Sequence, residues 1–197
     1  MTISASYGAG GSVVGPALAE LLGFPFLDRA VAARDTAPPG AESATQEEHT
    51  DGVLTRLFAR YSTVPDPVMA GVASAAVVVT DDAVREEGRA RVQEFAQQDS
   101  VILGWGGTVL VPHAFHVRLD GPLARRVLQG MRIEQLDEPT ARSRLARTDK
   151  VRSAFMKRLY GRDWRDPELY HLVVDSTAID LADSARLIGE AAGAFWG

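Results

Sequence analysis

Two groups of residues in this 197-residue chain have types and spacings that could do chemistry. The first is the turn Ser6-Tyr7-Gly8-Ala9-Gly10-Gly11-Ser12, which follows the β-prone Thr2-Ile3-Ser4 and precedes a helical run. Glycines in that setting let the backbone approach an anion closely, and the amides that open the next helix add donors and partial positive charge. Gly8, Ala9, Gly10, Gly11 and Ser12 are therefore candidate phosphate-binding residues, with the Ser12 hydroxyl the candidate metal ligand. The second group is basic. Residues 142–165 hold Arg142, Arg144, Arg147, Lys150, Arg152, Lys157, Arg158, Arg162 and Arg165, in a chain whose net charge is −5. Arg144 and Arg147 stand about one helical turn apart, where they could clamp one phosphate.

Read alone, the turn leaves its purpose open. A P-loop adds a lysine for the β and γ phosphates and a Ser or Thr for Mg²⁺. In the matching register Ala5 stands where the first glycine belongs, Gly11 where the lysine belongs, and Ser12 at the hydroxyl position. A dinucleotide fingerprint fits in part: Gly8 and Gly10 give G-x-G and Asp28 follows, but Val13 takes the third glycine position. A plain tight turn with Ser12 as helix N-cap accounts for the same residues, and Asp28 could equally cap a following helix. A basic residue on a helix is most often part of a solvated face. Trp105 could stack on a base or simply pack. His49, His113, His116 and His171 show no metal-ligand spacing, with His49 and His171 isolated, and read as structural or exposed.

The elements that must position these groups follow from periodicity. Val14, Leu18, Leu21 and Leu22 recur at helical spacing up to Gly23, and residues 24–28 read as a short buried strand. With the strand before the turn, this is a βαβ unit and so a parallel sheet. Residues 35–52 have the Pro-, Gly- and Ser-rich acidic composition of a mobile loop, and helical patches follow at 53–62 and 81–97. Residues 100–105 and 113–120 predict strands, 121–133 and 138–160 helices, 170–176 a strand, and 181–196 a closing amphipathic helix. The expectation is a single parallel α/β domain of about five strands, with a helical insertion over 28–99 between the second and third.

Composition narrows the setting. The absence of cysteine excludes disulfides and thiolate chemistry and fits a reducing cytoplasm. No leader-like segment opens the sequence, and the longest apolar run, 68–80, is short of the ~20 residues that span a bilayer. The expected location is cytoplasmic, away from membranes. The acidic balance argues against nucleic acid as a partner and leaves small-molecule nucleotides.

The ordered set Ile3–Gly11, Leu22–Arg29 ("LGFPFLDR"), Val101–Leu110 ("VILGWGGTVL") and Thr148–Thr177 resembles the cytidylate kinase-like family, relatives of the bacterial CMP kinases among the P-loop nucleoside monophosphate kinases. The resemblance implies a P-loop NTPase-type parallel sheet, an NMP-binding insertion after the second strand, and a short basic lid, here 138–165. It implies phosphoryl transfer from ATP, with Mg²⁺, to a nucleoside monophosphate of the CMP or dCMP kind or another small acceptor. On the same footing Gly8 to Ser12 face the donor phosphates, and Asp28, Arg29 and Trp105 lie on the acceptor side. Arg147, Lys150 and Arg152 supply the catalytic charge. The chain departs from the family pattern where arginines around the turn become Ala5 and Ser12, where the arginine after the third strand becomes Trp105, and where an Asp becomes Gly106. Those departures imply a second reading, a degenerate relative that binds nucleotide or a protein partner without turnover.

Overall fold

Runs of three to five residues rich in Val, Ile, Leu and Phe form the strands: β1 (Thr2–Ala5), β2 (Phe26–Asp28), β3 (Val101–Leu103), β4 (His116–Asp120) and β5 (Leu172–Asp175). The computed structural model describes residues 1–28, 86, 89, 90 and 92–197. In it the strands form one parallel sheet in the order β2-β3-β1-β4-β5. The expected loop at 35–52, the helical patch at 53–62, the apolar run at 68–80 and Arg29 lie outside the described residues. Of the expected helix at 81–97, residues 86, 89, 90 and 92–95 are described and helical.

The helices are α1 (Gly11–Leu22), α2 (Gly107–Leu110), α3 (Leu123–Glu134), α4 (Glu138–Tyr160) and α5 (Leu181–Trp196). Local chemistry sets their ends. Gly23 closes α1 in the left-handed region, φ 67, with its amide on Ala19 O and Glu20 O. Asp137 opens α4 by accepting from the Thr140 amide at 3.0 Å, and Gly161 closes it at φ 65. Asp180 opens α5 by accepting from the Ala182 amide at 2.8 Å. No helix among the described residues is long and apolar enough to cross a membrane.

The two faces of the sheet differ in chemistry. On one, Ile3, Val101, Val117, Leu119 and Val174 pack against Val14 and Leu18 of α1 and Ala185, Ile188 and Ala192 of α5. Burying an aliphatic side chain of the Val, Leu or Ile class contributes about 1.5–3 kcal/mol. The other face pairs Thr2 with His116 and Ser4 with Arg118, and all four are buried. Polar alternation in β4 therefore does not mark a solvent face. It marks a polar layer under protein, where Arg152, Met156, Trp164 and Tyr170 help enclose a cavity of about 10 Å³, roughly one water in size.

His116 stays neutral in that layer. Its Nδ1 lies 2.7 Å from Thr2 Oγ1, and its backbone amide donates to His171 Nδ1 at 2.9 Å. The two imidazoles stack at 5.2 Å and 15°, so His171 is not the isolated residue its sequence position suggests. Burial, then the charges of His171 and the N-terminal ammonium, lower the His116 pKa to about 4 against a small opposing contribution from the Pro112 backbone. The unfolded chain takes up this proton near pH 6.5. The stability held by His116 is therefore complete above that pH and is lost as pH falls toward 4, on the order of 2–3 kcal/mol. Denaturation midpoints are expected to drop between pH 7 and 4.5, with His116→Gln flattening the slope; equal slopes would refute the assignment. Asp137 and Asp175, held low first by the Thr140 and Thr177 side chains, titrate beneath this window.

Candidate functional site

Strand β1 lies at the sheet centre, and the chain leaves it toward β3 and β2 on one side and β4 and β5 on the other. In open α/β sheets ligands bind beyond the carboxyl ends of the strands at such a switch point. That edge carries the glycine turn after β1, the Gly104–Gly107 turn after β3, Gly121 after β4, and Asp175-Ser176-Thr177 after β5.

The glycine turn is built with its carbonyls engaged. Ala5 O accepts from Arg152 Nη1, Tyr7 O from Arg126 Nη1 at 3.3 Å, and Gly8 O from Gln129 Nε2 at 3.0 Å. Ala9 O accepts from Ser176 Oγ at 2.7 Å, Ser6 O from the Ala9 amide at 3.0 Å, and Gly10 O from the Val13 and Val14 amides at 3.0 and 2.9 Å. The amides of Gly8, Gly10, Gly11 and Ser12 meet no acceptor among the described residues. Gly8 and Gly10 both sit at φ 75, a conformation only glycine adopts freely. A turn with its carbonyls tied back and its amides unspent, continuous with a helix N-terminus, has the polarity of an anion receptor. Gly10 serves as the α1 N-cap with no side-chain cap bond. Ser12 is the second helical residue and exposed, so it does not play the capping role its type suggests.

Three arginines are buried beside this turn: Arg118, Arg126 and Arg152. Arg118 donates to Arg165 O at 2.8 Å and pairs with Asp120 at 2.5 Å. Arg126 donates to Gly121 O at 3.0 Å and pairs with Asp149 at 3.0 Å. Arg152 has no carboxylate at ion-pair distance among the described residues. Its guanidinium lies between two indoles, 5.2 Å from the Trp105 ring centre and 4.7 Å from that of Trp164. Arg118 stands 4.8 Å from the same Trp164 ring. Burial, with the charges of Arg118 and Arg126, lowers the Arg152 pKa to about 10 against the opposing pull of Asp149 and Tyr170. It remains a cation at neutral pH. Arg118 Nε, Arg152 Nε, Asp149 Oδ1, Thr148 Oγ1 and Ser6 Oγ are buried without hydrogen-bond partners, which leaves polar capacity unused at this end of the sheet.

The expected site residues divide by location. Gly8, Ala9, Gly10, Gly11 and Ser12 form the turn, and Arg152 reaches its first carbonyl from α4. Arg147 is half-buried and Lys150 exposed on the same helix. Arg144 ion-pairs with Glu134 of α3 at 2.6 Å. Asp28 ends β2 in register with Leu103. Trp105 packs edge-on against Phe155 at 5.4 Å, with the Arg152 guanidinium over its ring. Sequence reasoning missed Arg118, Arg126, Gln129 and Ser176. The one signal was Arg118 itself, a charge between Val117 and Leu119 inside a strand pattern.

Among the described residues no group of three or more His, Cys, Asp or Glu could hold a metal. Asp120, Asp149 and Asp175 are all committed to arginines. The exposed Ser12 hydroxyl fits a Mg²⁺ carried on phosphate groups, and among the described residues no set of protein groups alone fits a metal.

A family model described as "Cytidylate kinase-like family" matches residues 1–178. Among solved structures, an uncharacterized protein from Eubacterium ventriosum ATCC 27560 is similar with a TM-score of 0.66 at 16% identity, over 98% of this chain and 96% of that one. A gluconokinase from Sinorhizobium meliloti 1021 matches with a TM-score of 0.52 at 18% identity, over 99% and 94%. A shikimate kinase from Bacteroides thetaiotaomicron matches with a TM-score of 0.50 at 13% identity, over 96% and 95%. At these identities the likeness concerns the fold, the five-stranded parallel α/β architecture of P-loop kinases. No curated protein matches the chain.

Proposed function

The chain belongs to the cytidylate kinase-like family, and from that premise we propose that it binds ATP with Mg²⁺ and transfers the γ-phosphoryl group to a nucleoside monophosphate or another small acceptor. The observation that carries the reading is the turn: carbonyls from Ala5 to Gly10 are tied back, while the amides of Gly8, Gly10, Gly11 and Ser12 are unspent among the described residues. Phosphoryl transfer asks little covalent chemistry of a protein and depends on positioning and on positive charge at the phosphoryl oxygens. In this reading the amides hold the donor phosphates, and Arg152, with Arg147 and Lys150 of the same helix, supplies charge as the phosphoryl group moves. Asp28 and Trp105 border the acceptor. Magnesium, bound through the phosphates and Ser12, supplies further charge neutralisation.

The missing cation in the turn, with Gly11 in the lysine register, favours a second reading in which nucleotide binds without turnover. A thermal-shift panel of CMP, dCMP, other monophosphates and ATP–Mg²⁺, followed by a coupled ADP-release assay, separates the two. A ligand at a hundred times its Kd adds about 2.7 kcal/mol, several degrees in Tm for a chain of this size. Stabilisation with ADP release supports the kinase, and stabilisation alone supports the non-catalytic binder. No shift with any nucleotide would sink both.

A further inference from the structure

We propose that Ser176 is a positioning residue: by fixing the Ala9 carbonyl it aims the Gly10 amide at a bound phosphate. The inference rests on the nucleotide-binding reading above. In a trans peptide the C=O of one residue and the N–H of the next lie in one plane and point opposite ways, and the described chain has no cis bond. Holding a carbonyl therefore fixes the following amide. Ser176 is 0% exposed, and its hydroxyl donates to Ala9 O at 2.7 Å from the turn after β5. Its own amide donates to Asp120 O at 3.2 Å, which anchors it to the end of β4.

The plane that Ser176 holds carries the Gly10 N–H, which has no acceptor among the described residues. This is also the plane most in need of restraint. Gly10 sits at φ 75 and is followed by Gly11, and glycine crosses between backbone regions at little steric cost. Turned over, the plane would present a carbonyl oxygen to the phosphate. With no lysine in the turn, the amides carry the anion alone on that side, and one reversed dipole would be felt directly. Gln129 offers an internal contrast. It donates to Gly8 O at 3.0 Å, but that plane carries the Ala9 N–H, which is already spent on Ser6 O at 3.0 Å. Both side chains satisfy a turn carbonyl, and of these two Ser176 alone does so for a plane whose amide is unspent.

The test uses the full ¹⁵N-labelled chain titrated with ATP–Mg²⁺ and with tripolyphosphate, reading Kd and the Gly10 amide resonance. In the wild type the Gly10 amide should move on titration. Ser176→Ala is expected to weaken binding by about fivefold to tenfold and to shrink the Gly10 response, while the ligand-free Tm falls only slightly. Gln129→Ala, also one donor short, is expected to stay within about twofold of the wild type. Equal losses in the two variants, or an unchanged Gly10 response in Ser176→Ala, would overturn the inference while leaving the nucleotide reading intact. A wild-type Gly10 amide that responds to neither polyphosphate would overturn both.

Discussion

Replacing Arg152 by methionine is expected to lower turnover by about 10²–10³-fold, while the ligand-free protein keeps or gains thermal stability. The two effects have opposite signs for one reason. Arg152 is buried, has no carboxylate at ion-pair distance among the described residues, and rests its charge against Ala5 O and the faces of Trp105 and Trp164, with Asp149 farther off. Two like charges, Arg118 and Arg126, stand close enough to lower its pKa further. An apolar side chain of similar length is often neutral or stabilising in place of such a cation. A guanidinium matched to a carboxylate would have little charge left for a ligand; one resting on indole faces keeps it. In a coupled assay the loss should fall on kcat more than KM, since the charge matters most when the phosphoryl group is in transfer. If the protein binds without turnover, the same variant should weaken ATP about tenfold or more, the range for a charged hydrogen bond. Unchanged activity and affinity, together with a lower Tm, would make Arg152 a strut.

What the sequence made legible is what local chemistry dictates. The span 181–196 is recovered to the residue because Asp180 caps it and its apolar residues keep one period. The glycine turn is legible because positions at φ 75 exclude most side chains. The contacts that give the turn its polarity were not legible. Ser176 reaches Ala9 across 167 residues and Gln129 reaches Gly8 across 121. No window that detects helical or strand period contains both ends. Arg144 shows the same limit from the other side. Its spacing from Arg147 suggests a phosphate clamp, and nothing local announces that the packing of α3 on α4 also brings Glu134 to it. Of the basic cluster, Arg142, Lys150, Lys157 and Arg158 stand exposed on α4. Which member turns inward is decided by the buried stripe through Leu145, Thr148, Asp149, Arg152 and Met156.

Gly8→Ala is expected to be the most destabilising single methyl in the turn, and its cost should be separable into two parts. At φ 75 an alanine meets the left-handed penalty of about 1–2 kcal/mol. Its Cβ would also stand 2.0 Å from Arg126 O and 2.8 Å from Arg126 C, main-chain atoms of α3 that cannot rotate away. Relieving that overlap means moving the turn or the helix, and overpacking of this kind adds about 1–3 kcal/mol. Together these are a large share of the ~5–15 kcal/mol that holds a domain folded. Gly23→Ala isolates the backbone part, since Gly23 sits at φ 67 with nothing within 4 Å of the added carbon. Urea denaturation of the two variants should therefore show Gly8→Ala losing clearly more, and equal losses would mean that α3 does not rest on the turn. The same overlap should reach the ligand. Arg126 and Gln129 belong to the helix that would be displaced, and they hold the carbonyls of Tyr7 and Gly8. Under conditions where Gly8→Ala remains folded, its ATP-dependent stabilisation should be lost, whereas that of Gly23→Ala should match the wild type.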